Sequence, residues 1–183
     1  MIILGVIIAV LVVIASFIVS NYNALVQARN KVRDQFSQID VQLKKRADLI
    51  PNLVETVKGY TKHEEGTLEN VIKARNTYLS ANSVDAKVEA SSEMSNAISK
   101  LFALAESYPD LKANTNFLDL QNQLKEIEDK IGYARQFYND AVLMYNNKIE
   151  MFPSSIIASL FNFKGEKFFE ASEEDRQNVE VKF

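Results

Sequence analysis

One spacing of apolar residues runs without a slip from Tyr22 to Tyr60. The steps alternate between three and four residues, and ten of the twelve positions are apolar. This is the heptad pattern of an amphipathic helix with one buried seam, sustained over more than five heptads. The positions are Tyr22, Leu25, Arg29, Val32, Phe36, Ile39, Leu43, Arg46, Ile50, Leu53, Val57 and Tyr60.

A proline lies inside this pattern, at position 51. Proline has no N–H, and its ring clashes with the carbonyl four residues back, so it kinks or ends helices. Because the apolar phase is unchanged across Pro51, we predict one continuous, kinked helix that leaves the Ala47 carbonyl without its usual donor. In the alternative, a second helix begins with Asp48 as its N-cap and holds Pro51 in its first turn. The pattern ends near Gly59.

The first nineteen residues, MIILGVIIAVLVVIASFIV, contain no charge. As a helix they would be roughly 28 Å long, close to the thickness of a hydrocarbon core. A cleaved signal peptide is the alternative, but it would carry a basic residue ahead of a shorter apolar run. We predict a transmembrane anchor at residues 1–20. No glycine or proline separates Gly5 from Pro51, so the anchor can run directly into the long helix.

Basic residues near the predicted anchor all follow it, at Arg29, Lys31 and Arg33. Cytoplasmic flanks of membrane spans are enriched in lysine and arginine. We therefore expect a single-pass protein of the cell membrane, with the N-terminus outside and the remainder of the chain in the cytoplasm.

Three further amphipathic stretches follow, at residues 64–81, about 85–107, and from a cap at Asn114 or Asn116 to about 150. The chain has only five glycines and three prolines in 183 residues, which is typical of long helices and few loops. The predicted fold class is all-α. We expect the anchor to be followed, over residues 21–150, by an antiparallel four-helix bundle whose first and last helices are long.

Residues 151–183 form a phenylalanine-rich tail. It holds six of the eleven phenylalanines, among them Phe161, Phe163, Phe168 and Phe169. In one interpretation these rings cover an end of the bundle. In the other they form a docking surface for the membrane interface, a neighbouring protomer or a partner. The last residues, NVEVKF, alternate like a strand, which would need another strand to pair with.

Few residues suggest chemistry. The only histidine, His63, has no second ligand at the spacing of a zinc motif, and the chain has no cysteine. We recognise no catalytic constellation, and we expect no enzyme activity, metal or cofactor. The net charge of −3 gives no sign of nucleic-acid binding.

Two arginines on the apolar seam are the unusual feature. In an antiparallel bundle, Arg29 would lie near Asp140 and Tyr145, whereas Arg46 would lie near Glu126 and Glu128. These residues could set the helix register through ion pairs, or they could bind an anion or a partner. The structural or partner candidates are Arg29, Arg46, Pro51, Arg75, Glu126, Glu128, Asp140, Phe161, Phe163, Phe168 and Phe169.

Several long stretches resemble the LemA family of bacterial membrane proteins. They are YNALVQARNKV, SQIDVQLKKRADLIPNLVETVKGYTKHE, LENVIKARN, NFLDLQNQLKEIEDKIGYARQFYNDAVLMYN and FPSSIIASLFNFKGEKFFEA. Phe36 stands where the family often has tryptophan. The resemblance implies one N-terminal transmembrane helix, an antiparallel helical bundle and a small external N-terminus. It implies no enzymatic activity, and relatives linked to magnetosome membrane formation point toward membrane organisation.

Two functions are consistent with these observations. The first is a membrane-anchored scaffold that forms a homo-oligomer, cyclic in one arrangement, or binds proteins at the lipid bilayer and shapes or organises it. The alternative is a sensor or adaptor whose bundle binds a peptide or a membrane-protein partner and regulates a membrane protease or signalling protein.

Overall fold

A computed structural model of the chain describes residues 1–61 and 64–169. His63 and the strand predicted for NVEVKF lie outside these described residues. Within them the protein is helical and has no strand. The helices are α1 (Ile2–Lys58), α2 (Glu65–Ser80), α3 (Val84–Ala105), α4 (Pro109–Lys112), α5 (Thr115–Glu150) and α6 (Ser154–Leu160).

Helix α1 passes through Pro51, so the prediction of one continuous helix is confirmed and the alternative of a new helix after Asp48 is wrong. It ends at Lys58, beside the predicted stop at Gly59. The predicted seam is largely buried on both sides of the proline. Its buried members are Leu25, Val32, Ile39, Leu43, Arg46, Ile50, Leu53 and Val57.

Local sequence signals begin the shorter helices. Ser83 caps α3, because its hydroxyl accepts the backbone N–H of Ala86 at 3.2 Å. Asn114 caps α5 by accepting the N–H of Phe117 at 3.0 Å, and it is one of the two caps predicted from the sequence. Pro109 lies in the first turn of α4, where its missing N–H costs no hydrogen bond.

The described chain divides into two compact units. The terminal unit consists of Met1–Ser37 and Arg135–Phe169, and the central unit of Gln38–Ala134. Helices α1 and α5 contribute residues to both. These boundaries differ from the sequence-based division at residues 20 and 150, which separated an anchor, a bundle and a tail. The antiparallel four-helix arrangement stays a prediction.

The central unit has an apolar core to which α1, α2, α3, α4 and α5 all contribute. Helices α2 and α3 pack against each other, and the ring of Phe102 meets the ring of Phe117 edge-on at 5.9 Å. The side chains that are hidden from solvent include Ile50, Leu53, Val71, Met94, Leu101, Leu111, Phe117 and Ile131.

The terminal unit buries a smaller core. Three parts of the chain contribute to it. They are α1 with Leu25 and Val32, α5 with Tyr138, Ala141, Val142 and Tyr145, and the residues after α5 with Ile157, Ala158, Phe163 and Phe169. The start of α1 does not contribute to this core, because none of its most apolar segment is buried. That segment is long and apolar enough to cross a membrane.

Candidate functional site: buried arginines and a clamp for the tail

Arg46 is the largest side chain in the central unit that is fully hidden, with 1% of its surface exposed. Its Nη1 donates to Oε2 of Glu128 and to the Ser95 hydroxyl, both at 2.7 Å. Its Nη2 donates to the carbonyl and the hydroxyl of Ser91, at 2.9 and 3.0 Å. One guanidinium thus joins α1, α3 and α5.

The two glutamates expected near Arg46 behave differently. Glu128 accepts from Arg46, whereas Glu126 accepts from Lys130, one turn along α5, at 2.6 Å. The hydrogen bond from Lys130 lowers the pKa of Glu126. Glu126 is therefore part of a surface pair, and Glu128 alone of the two belongs to the buried network.

Pro51 and Arg75 act on the same backbone atom. Because Pro51 has no N–H, the carbonyl of Ala47 lacks its helical donor. Nε of Arg75, from α2, donates to that carbonyl at 2.9 Å. The arginine side chain therefore replaces the missing backbone donor, which allows α1 to continue through a proline with its buried carbonyl satisfied.

This replacement predicts a coupling between positions 51 and 75. Arg75→Ala leaves the Ala47 carbonyl unpaired, and we expect it to lower the free energy of unfolding by about 1–3 kcal/mol. With Pro51→Ala present, the new N–H supplies the donor, so the same Arg75→Ala change should cost clearly less. Chemical denaturation of the four proteins of this cycle measures the coupling; equal costs in both backgrounds would contradict it.

A second polar cluster of the central unit was missed by the sequence analysis. The Tyr78 hydroxyl donates to Oδ1 of Asp40 at 2.9 Å, and Nζ of Lys87 donates to both Asp40 oxygens at 2.7 Å. Burial, and then the hydrogen bond to Asp40, raise the pKa of Tyr78. Asp40 directly follows the buried seam position Ile39. A carboxylate at the edge of an apolar seam needs polar partners, and this position is the signal from which the cluster could have been predicted.

In the terminal unit, a Tyr-Asn pair occurs twice on α5, at 138–139 and 145–146. Asn146 donates to the carbonyl of Glu166 at 2.9 Å and accepts its N–H at 3.0 Å. Asn139 likewise donates to the carbonyl of Phe169 at 3.0 Å and accepts its N–H at 2.8 Å. Each asparagine side chain thus pairs with both backbone groups of one tail residue, as a neighbouring β-strand would.

The two tyrosines repeat this spacing. The Tyr145 hydroxyl donates to the carbonyl of Lys164, and the Tyr138 hydroxyl to that of Lys167, both at 3.0 Å. Seven helical residues rise about 10.5 Å, and three extended residues span about 10 Å. One heptad of α5 therefore matches three residues of extended tail. We call these four α5 side chains the tail clamp.

Close approach and aromatic anchors complete the clamp. A Cβ on Gly165 would lie 3.3 Å from Oδ1 of Asn146, so a glycine lets the tail backbone come this near. The buried rings of Phe163 and Phe169 lie under guanidinium groups, Arg29 at 5.0 Å and Arg135 at 4.4 Å. Such cation–π contacts are strongest where water is excluded.

Arg29 does not form the expected ion pair with Asp140. Asp140 is exposed on α5, and the Arg29 guanidinium lies over the ring of Phe163. Burial raises the pKa of Tyr145, and the positive charge of Arg29 opposes this rise only in part. Of the four tail phenylalanines named from the sequence, Phe163 and Phe169 are buried, whereas Phe161 and Phe168 remain about half exposed.

The tail therefore packs on the helices of its own chain at residues 163–169. Contact of residues 152–183 with a neighbouring protomer stays a prediction. In residues 1–61 and 64–169, no group of three or more histidine, cysteine or acidic side chains is placed to hold a metal ion. The clamp side chains form hydrogen bonds between α5 and the tail, and both Nη atoms of Arg46 form hydrogen bonds to α3 or α5.

The sequence matches known proteins along most of its length. The model of the LemA family matches residues 35–183. Protein LemA of Metamycoplasma hominis is 28% identical over 165 residues, which cover 89% of this chain and 75% of that protein. Magnetosome protein MamQ 2 of Paramagnetospirillum magneticum is 23% identical over 192 residues, covering 90% of this chain and 71% of that protein.

A further relative is magnetosome protein MamQ of Magnetospirillum gryphiswaldense. It is 21% identical over 185 residues, covering 87% of this chain and 68% of its own length. The family match includes the α1 seam from Phe36 onward, Arg46, Pro51, the tail clamp and the tail itself. This helical protein, with its apolar N-terminal helix, belongs to the LemA family.

Proposed function

We propose that the chain is a non-enzymatic, membrane-anchored scaffold that self-assembles in the bilayer and organises it. The apolar start of α1 spans the membrane once. The helices that follow lie in the cytoplasm and Met1 lies outside, an orientation supported by the basic residues Arg29, Lys31 and Arg33 after the span. The apolar segment of α1 and the match to magnetosome proteins support a role at membranes.

An exposed apolar stripe on α5 carries this proposal. Phe137, Met144 and Met151 are 60%, 66% and 63% exposed, although all three are large apolar side chains. They are spaced by heptads. Phe137 and Met144 lie in one line along α5, and Met151 directly follows the last residue of that helix, where its N–H still donates to the Asn147 carbonyl at 2.8 Å. A line of this kind is suited to packing against another helix, and leaving it in water is unfavourable.

A second copy of the chain is the occupant that the membrane anchor favours. Copies anchored in one bilayer share orientation and depth, so each holds Phe137 and Met144 at the same height. The stripes therefore meet in register, at a raised local concentration. Repeated packing about an axis along the membrane normal would give a cyclic assembly.

We expect the full-length protein in mild detergent to be an oligomer, with a protein mass at least twice the 20.7 kDa mass of one chain. The double variant Phe137→Glu, Met144→Glu should shift to the monomer, because charges in an apolar helix contact must be desolvated. Light scattering coupled to size-exclusion chromatography, with the detergent mass subtracted, measures both.

Leu143→Glu is the matched control. Leu143 is 50% exposed on the same helix but lies about 100° around it from Met144, so the assembly should keep its mass. A monomeric wild-type protein would contradict self-assembly and favour the adaptor alternative. An assembly that survives the double variant but not the control would place the contact elsewhere on α5.

A further inference from the structure

The turn between α5 and the clamped tail exposes a second set of apolar side chains. Phe152, Ile156, Leu160 and Phe161 are 80%, 58%, 68% and 48% exposed. No charged residue occurs between Glu150 and Lys164, in a chain in which 25% of residues are charged. We call these four side chains the apolar corner.

Helix α6 has one face buried in the protein and one exposed face that belongs to the apolar corner. Ile157 and Ala158 are buried in the terminal unit, whereas Ile156 and Leu160, one turn apart, face outward. The Ser154 hydroxyl, in the first residue of α6, lies within hydrogen-bond distance of the carbonyls of Lys148 and Met151, at 2.6 and 2.9 Å. One apolar face of α6 thus packs on the protein, while the other leaves large apolar side chains exposed, which marks it as a site of interaction.

The position of the corner along α1 is set by one ring contact. The rings of Phe161 and Tyr22 lie 4.8 Å apart, centroid to centroid. Tyr22 follows the apolar segment, which ends at Val19, by three residues, or about 4.5 Å of helix. The polar headgroup layer on each side of a bilayer is about 5–8 Å thick. Phe161 therefore lies at headgroup depth whenever the start of α1 spans the membrane.

From these observations we propose that the apolar corner inserts into the headgroup layer, at the boundary with the acyl chains, beside the end of the span. The ligand is the lipid surface itself. This inference rests on the span proposed for α1, and it adds a second membrane contact that holds the terminal unit against the bilayer. Insertion removes four large apolar side chains from water and takes no charge out of it.

Because the chain has no cysteine, single cysteines can report membrane depth in the full-length protein. An environment-sensitive nitrobenzoxadiazole label is placed at Ile156→Cys or at Leu160→Cys, and the protein is reconstituted into phosphatidylcholine–phosphatidylglycerol vesicles. We expect blue-shifted emission at both sites. Lipids with a spin label near the headgroup should quench it several-fold more than lipids with a spin label near the acyl-chain end.

Two further sites separate the possible outcomes. A label at Gln136→Cys, exposed on α5 in the same unit, should report water and little quenching. A label at Val10→Cys, within the apolar segment, should be quenched best by the deep spin label. If Val10 fails this test, the proposed span itself is wrong. If Val10 passes but positions 156 and 160 match position 136, the corner proposal is overturned. Blue-shifted emission at 156 and 160 without lipid quenching would also overturn it, in favour of a protein contact.

Discussion

Replacing Arg46 by alanine is expected to lower the free energy of unfolding by about 3–5 kcal/mol. The change deletes the largest hidden side chain of the central unit together with its bonds to α3 and α5. The cavity would be bordered by Ser91, Ser95 and Glu128, which now surround the guanidinium. Chemical denaturation of the full-length protein in mild detergent, followed by far-ultraviolet circular dichroism, measures the loss.

Arg46→Met separates packing from charge. Methionine keeps most of the volume, and the Ser95 hydroxyl can still donate to the Ser91 carbonyl, as it does at 3.2 Å in the native chain. Glu128 loses its partner in this variant, but its side chain is 47% exposed, so its charge can be hydrated and no buried charge is left unpaired. We therefore expect Arg46→Met to be much less destabilising than Arg46→Ala. Equal losses would show that the guanidinium hydrogen bonds, rather than the packing, dominate.

The two glutamates near Arg46 provide a matched pair of variants. Glu128→Gln removes the charge that faces the buried guanidinium, and we expect a loss of about 1 kcal/mol, since nearly half of the Glu128 side chain is exposed. Glu126→Gln changes the same chemistry two residues away on the surface, and stability should not change measurably. Equal effects at both positions would contradict the pairing seen here.

The sequence predicted both Glu126 and Glu128 near Arg46, although only Glu128 binds it. The helical phase of the two residues explains the difference. Antiparallel counting locates the height on α5 that faces Arg46, and both residues lie near it. Glu128 follows the buried Leu124 by four residues and precedes the buried Ile131 by three, so it borders the seam. Glu126 is about 160° around the helix from Glu128. Glu128 would have been predicted alone if the angular position around α5 had been considered together with the position along its axis.

Other parts of the fold were predictable because they depend on local patterns. The run of α1 through Pro51 follows from an apolar phase that does not slip, and Asn114 is an ordinary helix cap. Arg75 as the substitute donor was not predictable, because it requires the packing of α2 on a particular turn of α1. Likewise, Arg29 meets an aromatic ring of the tail, whose course the periodicity of the helices does not determine.

The clamp left a signal that the sequence analysis did not use. The Tyr-Asn pair recurs one heptad apart on α5, with the tyrosines on the buried seam and each asparagine just beside it. What could not be predicted is the partner, because the asparagines bind backbone groups. Main-chain contacts leave no side-chain pattern in the tail apart from Gly165, where the approach is too close for most residues.

Removing both clamp asparagines is expected to release residues 164–169. The variant Asn139→Ala, Asn146→Ala loses four hydrogen bonds to the tail backbone, which together stabilise docking by about 2–4 kcal/mol. A loss of this size lowers the protection of the tail against opening by roughly 30-fold or more. Hydrogen exchange at the amides of Glu166 and Phe169, whose N–H groups the asparagines accept, measures it directly.

Two further variants test the clamp. Asn147→Ala is the matched control, because Asn147 is exposed and adjacent to Asn146, and amide exchange at Glu166 should not change. Asn146→Asp keeps the acceptor for the Glu166 N–H but loses the donor to its carbonyl, so the exchange rate of the Glu166 amide should fall between wild type and the alanine variant.

Two outcomes would contradict this role of the clamp. If the double alanine variant leaves the amides of Glu166 and Phe169 protected, the buried phenylalanines hold the tail, and the asparagines contribute little to its docking. If Asn147→Ala also accelerates exchange, fraying of α5 rather than loss of the clamp explains the release.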